Sequence, residues 1–339
     1  MTSKRPTLKT ISELSGFAVP TVSRALKDAP DIGEATKARV REIAAEIGYI
    51  PNRAGVRLRT GKTNVISVVL STDHDAVDDH TGRLIASVAE NLRHTPYHMI
   101  VTPYATGEER MDPIRYLAET RSADAVIMAQ VEVEDPRVAY LMERNFPFAT
   151  YGRSQWFREH AYFDFDNGTF GEIAARRLIE KGRQHLLLIA PPLEQSYAQH
   201  IIEGIERGLA GSDATLEIAD GVTSHDSNSA VRTALAARLA RRDAPVDAII
   251  APSTSAAISS AVALEHVGLK LGREIDMFAK EATPFLRFFR SEIETVFEDV
   301  LEARRFLAEA VVRRIEHPEL PPMQALEVAR EPRPLDSLF

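Results

Sequence analysis

The chain has no cysteine among its 339 residues, which excludes disulfide bonds, thiolate metal ligands and cysteine nucleophiles. It has no run of eighteen apolar residues, so we expect no transmembrane helix and no membrane partner. Lys4 and Arg5 are followed by no apolar stretch, which argues against a signal peptide. The expectation is a cytoplasmic protein.

The sequence also lacks the common catalytic strings. There is no Gly-x-Ser-x-Gly, no phosphate-binding Walker string and no His-Glu-x-x-His. Gly204, Gly208 and Gly211 fall within a predicted helix and its end, where they cannot form a dinucleotide-binding loop. We therefore expect no enzyme activity, no cofactor and no metal site.

Charge is distributed unevenly along the chain. The overall formal charge is −8, yet residues 1–62 contain 12 Lys and Arg against 6 Asp and Glu. The remainder contains 29 basic and 43 acidic residues, so a basic head is joined to an acidic body. This asymmetry favours a head that contacts phosphate groups. The length predicts two or three domains.

The basic head has the pattern of a helix-turn-helix. Apolar residues recur at helical spacing on both sides of Gly16, and a third helix is predicted from Glu34 to Glu46. Thr7 is placed to cap the first helix, whereas Ala18 and Gly33 are weak caps for the second and third. The predicted core consists of Leu8, Ile11, Leu14, Val22, Leu26, Val40 and Ile43.

The second helix is the one expected to enter the major groove of DNA. Arg24 can pair with a guanine, which contributes about 1–3 kcal/mol of discrimination, and Val19 and Pro20 offer apolar contacts to bases. Alternatively, Arg24 is a solvated surface residue. Hydroxyl, amide and basic groups suited to phosphate oxygens are Thr7, Thr21, Ser23, Asn52 and Arg53.

Three strings carry a specific resemblance. They are Thr-Leu-Lys-Thr-Ile-Ser from Thr7, Thr-Val-Ser-Arg-Ala-Leu from Thr21, and Gly-Tyr-Ile-Pro-Asn-Arg-Ala from Gly48. The region resembles the headpiece of the lactose-repressor (LacI/GalR) family of transcriptional regulators. The resemblance implies an all-α helix-turn-helix headpiece at 1–51 and a hinge at 52–61. It also implies a two-lobed α/β effector domain, similar to type I periplasmic binding proteins, at 62–339.

The hinge implied by this resemblance is a short helix that enters the minor groove. Leu58 would wedge a base step open, beside Gly55 and Arg59. Glycine costs about 1 kcal/mol inside a helix, so we expect the hinge to fold only on DNA. The alternative is a plain linker in which Leu58 is exposed and without consequence.

From Lys62 onward, predicted strands alternate with predicted helices. The pattern restarts after Asn167, which predicts two doubly wound parallel sheets with a ligand cleft between them. We assign the first lobe to about 62–162 plus 292–325 and the second to about 163–291. A strand at Phe148–Tyr151 is expected to close the first lobe.

Several groups that family members use on sugars are changed here, which favours an effector other than the commonest hexoses. Lys280, Arg153 and His200 would suit an anionic group, while Glu281 and Glu298 would suit hydroxyls or an amine. Each of these side chains is otherwise a surface or structural residue. The full set of candidate effector contacts is Asp79, His80, Arg153, Asp166, Tyr197, His200, Ser253, Lys280, Glu281 and Glu298.

The resulting hypothesis is a DNA-binding regulator, most simply a repressor. It would act as a homodimer on a pseudo-palindromic operator under control of a sugar, polyol, sugar acid or sugar phosphate. Two prolines after Arg330 argue against a tetramer-forming helix. The alternative is a solute-binding protein or sensor of the same fold, which would show no salt-sensitive DNA binding.

Overall fold

The computed structural model describes residues 6–49, 61–72, 79–104, 109–241, 243 and 245–332. It forms two compact units, residues 1–63 and 64–339. Most of the predicted hinge lies outside the described residues, including Asn52, Arg53, Gly55, Leu58 and Arg59. Within the described part of the chain, no helix is long and apolar enough to cross a membrane.

The first unit contains the three predicted helices. They are α1 (Leu8–Ser15), α2 (Val19–Ala25) and α3 (Glu34–Glu46). The Thr7 hydroxyl accepts a hydrogen bond from the Thr10 backbone N–H, which confirms the predicted cap of α1. Ala18 and Gly33 directly precede α2 and α3, and neither provides a side-chain cap. Gly16 has a φ of 73°, a left-handed conformation that glycine adopts without steric cost.

The core of this unit differs from the prediction at one position. Its buried residues are Ile11, Val22, Ala25, Val40, Ile43 and Ala44. Leu14 was expected among them but is 56% exposed, so that prediction was wrong. The chain reverses at Gly16, and Phe17 packs against the core from the far side of the turn.

The second unit alternates strands and helices between two sheets. Its first section contains β1 (Val65–Ser71), α4 (Asp79–Leu92), β2 (His98–Tyr104), α5 (Met111–Thr120), β3 (Ala125–Met128), α6 (Pro136–Glu143), β4 (Phe148–Tyr151) and β5 (Ala161–Phe165). The middle section contains α7 (Asn167–Glu180), β6 (His185–Leu188), α8 (Ser196–Leu209), β7 (Thr215–Ile218), α9 (Asn228–Leu239), β8 (Ala248–Ala251), α10 (Thr254–His266), β9 (Asp276–Glu281), α11 (Leu286–Phe289) and β10 (Ile293–Phe297). The last section contains α12 (Val300–Glu316) and β11 (Gln324–Glu327).

Both sheets are parallel throughout. The first lobe has the strand order β11-β5-β4-β3-β1-β2, and the second has β10-β9-β8-β6-β7. Central strands such as β3 and β8 are buried at every residue, as strands covered on both faces must be. Separate apolar clusters lie on the two faces of each sheet.

The lobe boundaries require correction. The strand β4 does not close the first lobe, because β5 pairs with it from Ala149↔Ala161 onward and β11 then pairs with β5. Residues 163–165, predicted in the second lobe, are therefore part of the first sheet. Residues 293–297, predicted in the first lobe, form β10 and pair with β9 in the second sheet. Strand pairing decides these assignments, because β5 and β10 extend the sheets of β4 and β9, and local pattern does not reveal it.

Glycines of α7 and α8 allow these two helices to pack closely against each other. A Cβ at Gly204 would lie 2.0 Å from the carbonyl oxygen of Gly168, and one at Gly171 would lie 2.3 Å from that of Ile201. The helices α7 and α8 therefore approach so closely that no side chain fits between them at these positions. This packing holds the start of α8 near the carboxyl ends of the strands.

Candidate DNA-binding surface and ligand cleft

The second helix of the headpiece presents the residues predicted to read bases. Val22 and Ala25 are fully buried, and this fixes which face of α2 is turned to solvent. Val19 is 39% exposed, and Pro20 and Arg24 are exposed beside it. The expected surface therefore exists as one face of α2, although its contacts with DNA remain predictions.

Ion pairs secure this face against the rest of the headpiece. Arg24 donates a hydrogen bond to the Asp31 carboxylate, so it is not simply solvated. Asp28 lies between Lys37, at 3.1 Å, and Arg41, at 2.8 Å. Hydrogen bonds from these two cations hold the pKa of the Asp28 carboxyl below its usual value. The loop after α2 is thereby tied to α3.

A cleft of about 210 Å³ opens at the carboxyl ends of the strands of both lobes. This is the expected position for a ligand in doubly wound sheets. Five predicted effector contacts line it, namely Tyr197, Ser253, Lys280, Glu281 and Glu298.

Lys280 is the centre of the charged network in the cleft. Its ammonium lies 2.8 Å from a Glu298 oxygen and donates to the Asn167 side-chain oxygen at 2.9 Å. The same nitrogen is 5.0 Å from the ring centre of Phe165 and 5.7 Å from that of Tyr197. Lys280 and Glu298 are only 8% and 4% exposed, so the cation is already neutralised within the protein.

Glu298 also joins the two lobes. Tyr151, at the end of β4, donates its hydroxyl hydrogen to the Glu298 carboxylate. Burial, and then the charge of Glu298, raise the pKa of the Tyr151 phenol well above its ordinary value, so the phenol stays protonated. The resulting chain runs from Tyr151 in the first lobe through Glu298 to Lys280 in the second.

Glu281 is held by its own lobe. Its carboxylate accepts hydrogen bonds from the backbone N–H groups of Phe285 and Leu286, at 3.0 and 2.8 Å. The Thr295 hydroxyl donates to its other oxygen at 2.7 Å. Ser253 likewise has a structural contact, because its hydroxyl caps α10 by accepting from the Ala256 N–H at 3.2 Å.

The remaining predicted effector contacts do not join this group. Arg153 and His200 line a second cavity of about 430 Å³, which we name the side chamber. Asp166 caps α7 by accepting hydrogen bonds from the N–H and the hydroxyl of Thr169. Asp79 begins α4, and the side chains of Asp79 and His80 lie outside what the structure describes. The side chamber is lined by Val133, Arg153, Ser154, Gln155, Phe157, Ser196, Gln199, His200 and Glu203.

Lys280 therefore lines the cleft, whereas Arg153 and His200 line the side chamber, so the three residues expected to suit an anion do not line one cavity. Arg153 lies two residues beyond β4 and donates to the buried Asp164 carboxylate at 2.6 Å. His200 follows Tyr197 by almost one helical turn, yet Tyr197 lines the cleft and His200 the side chamber.

Sequence reasoning missed several residues that line the cleft. Tyr104 ends β2, and Asn228 begins α9, where its side chain accepts from the hydroxyls of Ser255 and Ser259 at 2.6 and 3.0 Å. His225 hydrogen-bonds the Tyr197 hydroxyl. The position of Tyr104 at the end of a strand could have indicated that it lines the cleft. The loop that contains His225 follows an amphipathic edge strand, and nothing in its sequence indicated that it lines the cleft.

Two family matches cover most of the chain. Residues 7–52 match "Bacterial regulatory proteins, lacI family". Residues 82–313 match "Periplasmic binding proteins and sugar binding domain of LacI family". The chain belongs to the LacI family. It is thus a DNA-binding transcriptional regulator with an effector domain, which favours that hypothesis over a solute-binding protein. Members of the family are DNA-binding regulators rather than enzymes.

Individual relatives agree with this assignment. The LacI-family chain is 34% identical over 278 residues to the HTH-type transcriptional regulator AglR of Rhizobium meliloti (strain 1021), covering 81% of this chain and 77% of that protein. It is 25% identical over 320 residues to the HTH-type transcriptional regulator CelR of Thermobifida fusca, covering 92% of each.

Solved structures confirm the expected fold of this LacI-family chain. The lac repressor dimer bound to operator and the anti-inducer ONPF has a TM-score of 0.81 at 17% identity, covering 97% of this chain and 98% of that one. A transcriptional regulator CelR–cellobiose complex has a TM-score of 0.68 at 21% identity, covering 96% and 98%. The helix-turn-helix headpiece and the two-lobed α/β body are therefore both confirmed.

Proposed function

We propose that this chain is a cytoplasmic repressor that binds a pseudo-palindromic operator as a homodimer. Its affinity for that operator is controlled by a neutral sugar or polyol in the cleft. The exposed face of α2 in a basic head supports the DNA-binding part of the proposal. A dimer is proposed because one headpiece reads only a half-site, and two half-sites supply useful specificity.

The ion pair of Lys280 is the main observation in favour of a neutral ligand. Lys280 is the one Lys or Arg among the described residues lining the cleft, and Glu298 already neutralises it. Two further carboxylates line the same space, from Asp226 and Glu281, while the carboxylate of Asp164 is paired with Arg153. An added anion would meet net negative charge in a poorly solvated site, which disfavours a sugar acid or phosphate.

The rest of the lining suits hydroxyl groups. Tyr104 and Tyr197 combine an aromatic face with a phenol, and His225 and Asn228 add groups that donate and accept hydrogen bonds. Small-molecule sites typically combine apolar faces with a few convergent polar groups of this kind. A polyhydroxylated ring presents complementary edges and faces.

A thermal-shift comparison tests the ligand class. The neutral probes are glucose, maltose and cellobiose, the last because a solved regulator of this fold holds it. The anionic probes are gluconate and glucose 6-phosphate. We expect at least one neutral sugar to raise the melting temperature, since a ligand at 100 times its Kd stabilises by about 2.7 kcal/mol. Stabilisation by the anionic probes alone would refute the neutral class.

Two tyrosine variants show whether the shift arises in the cleft. Tyr197→Ala removes a cleft wall and should abolish the shift. Tyr116→Ala is the matched control, because Tyr116 is a 61% exposed residue on α5 that does not line the cleft. Loss of the shift in both variants would place the bound sugar elsewhere.

Selection from a pool of random DNA duplexes tests the operator. We expect enrichment of an inverted repeat whose binding weakens steeply as salt rises. Enrichment of a single unrepeated half-site would reject the dimeric mode, and no enrichment would reject sequence-specific binding.

A further inference from the structure

The side chamber has no role in the function proposed above. Ser196 lines both the cleft and the side chamber. Its backbone N–H donates to the Val131 carbonyl at 2.9 Å, and the Val133 N–H donates to the Glu194 carbonyl at 3.4 Å. Val131 and Val133 belong to the first lobe, and Glu194 and Ser196 to the second. A short antiparallel bridge between the lobes therefore stands where the two cavities adjoin.

Two buried polar atoms at the side chamber have no hydrogen-bond partner within the described residues. They are the Oγ of Ser196 and the Nδ1 of His200. Ser196 is only 4% exposed. Leaving a buried polar atom without a partner destabilises the folded state, and native proteins satisfy nearly all such groups. Both residues line the side chamber, so polar capacity that the described protein does not use lies beside this cavity.

The charges around the side chamber disfavour an anion. The Arg153 guanidinium donates to the Asp164 carboxylate at 2.6 Å, so its charge is already balanced. Glu203 adds a carboxylate to the wall. Burial, and then the charge of Arg153, lower the pKa of His200, which leaves a neutral imidazole, a group that can both donate and accept a hydrogen bond.

The lining also has an apolar surface. The ring of Phe157 contributes to the wall, and the five donor hydrogens of Arg153 exceed the number that Asp164 occupies. An aromatic face, a guanidinium with remaining donors, a neutral imidazole and a serine hydroxyl together match a ring that carries hydroxyl groups.

We propose that the side chamber is a second binding site for a small neutral polyhydroxylated molecule, such as a monosaccharide or a cyclic polyol. Arg153 on the first lobe and His200 on the second hold it from opposite sides of the lobe boundary. Its occupant reinforces the bridge between Val131 and Ser196. This site is separate from the cleft and does not depend on the proposed effector.

Nitrogen NMR of the histidine side chains in the full-length protein tests this site. The probes are myo-inositol and glucose, each titrated to tens of millimolar, with acetate as the anionic comparison. The His200 signal is identified by its loss in His200→Phe, or in His200→Gln should the first variant not fold. We expect either neutral probe to shift the His200 signal saturably and acetate to leave it unchanged.

A variant of the cleft separates the two sites. Tyr197→Phe removes a cleft hydroxyl on the same helix and should leave the His200 titration unchanged. No saturable shift with either neutral probe, or a shift with acetate alone, would overturn the proposal. A His200 titration weakened by Tyr197→Phe would also overturn it, because the two cavities would then act as one site. Neither result bears on whether the cleft binds a neutral sugar.

Discussion

His160 illustrates how burial changes the chemistry of a single residue. It is 3% exposed, with Nε2 3.0 Å from the Ser154 hydroxyl and Nδ1 3.1 Å from the Ala161 carbonyl oxygen. Burial lowers the pKa of this imidazole below the ordinary 6.5. Its hydrogen bonds organise the loop between β4 and β5, which also carries Arg153 and the single tryptophan, Trp156.

The first prediction concerns acid. An unfolded histidine takes up a proton near pH 6.5, whereas folded His160 resists doing so, and the unfolded state then binds more protons. The contribution of His160 to the free energy of unfolding is therefore complete above pH 6.5. It is lost as the pH falls through the lowered pKa. Urea unfolding followed by Trp156 fluorescence between pH 5 and 8 measures it. His160→Gln should unfold more easily at pH 8 and show a flatter slope below pH 6.5; an unchanged slope would contradict this account.

The second prediction concerns Arg24. Arg24→Ala should weaken binding to the selected operator by about 1–3 kcal/mol and binding to random DNA by little, since a bidentate base contact is specific. Competition binding at fixed salt measures both losses. Asp31→Asn serves as the control, because it removes the charge that pairs with Arg24 but keeps the arginine. Equal losses on both DNAs would mean that Arg24 contacts only phosphate.

At the scale of elements, the contact of α7 with α8 is the most constrained. Gly204 and Gly171 each lie against the backbone of the neighbouring helix, so neither helix can move aside locally. The contact positions Tyr197 and His200 on α8 and Asn167 at the start of α7. Gly204, which the sequence places in a helix and not in a dinucleotide-binding loop, thus helps to position ligand-facing residues.

The third prediction compares two glycines of this contact. Gly204→Ala places a Cβ 2.0 Å from a backbone oxygen and should lower the free energy of unfolding by about 1–3 kcal/mol or more. At Gly168 the nearest atom to a new Cβ is the far end of the Arg207 side chain, 2.9 Å away, which can move. Gly168→Ala should therefore cost much less in denaturant unfolding. Similar costs for both variants would show that the helices can separate.

At the scale of the whole body, two of the connections between the described parts of the lobes involve residues of the cleft. One is the bridge between Val131 and Ser196, and the other is the chain from Tyr151 through Glu298 to Lys280. Both touch the cleft directly. A ligand in the cleft would contact the same groups that hold the lobes together, so we expect the arrangement of the lobes to respond to occupancy.

The fourth prediction removes one connection between the lobes. Tyr151→Phe deletes the hydroxyl that donates to Glu298, a bond to a charged group worth about 1.5–3 kcal/mol. We expect weaker sugar binding and a larger radius of gyration in solution scattering, because the lobes then separate more easily. The control is Tyr140→Phe, whose hydroxyl bonds the exposed Glu119 within the first lobe. If Tyr151→Phe leaves both the radius of gyration and the sugar affinity unchanged, this hydrogen bond does not control the position of the lobes.

Much of the element order followed from the sequence because buried strands and amphipathic helices have strong local patterns. The bounds of α3 and β4 match the prediction at both ends. The strands β5, β10 and β11 were not predicted; β5 and β10 pair with the strands that precede them, and only β11 pairs with a distant strand. Leu14 was misplaced because the turn at Gly16, two residues later, decides its exposure.

The sequence by itself determined the basic helix-turn-helix head, the two α/β lobes and the polar residues that follow the strands. Charge, periodicity and motif spacing are local properties, and they are readable without coordinates. Only the tertiary structure decided that Lys280 is neutralised by Glu298, and that Arg153 and His200 line a separate cavity. Those outcomes depend on which distant side chains meet in a poorly solvated interior, where pairing and burial outweigh the intrinsic charge of each residue.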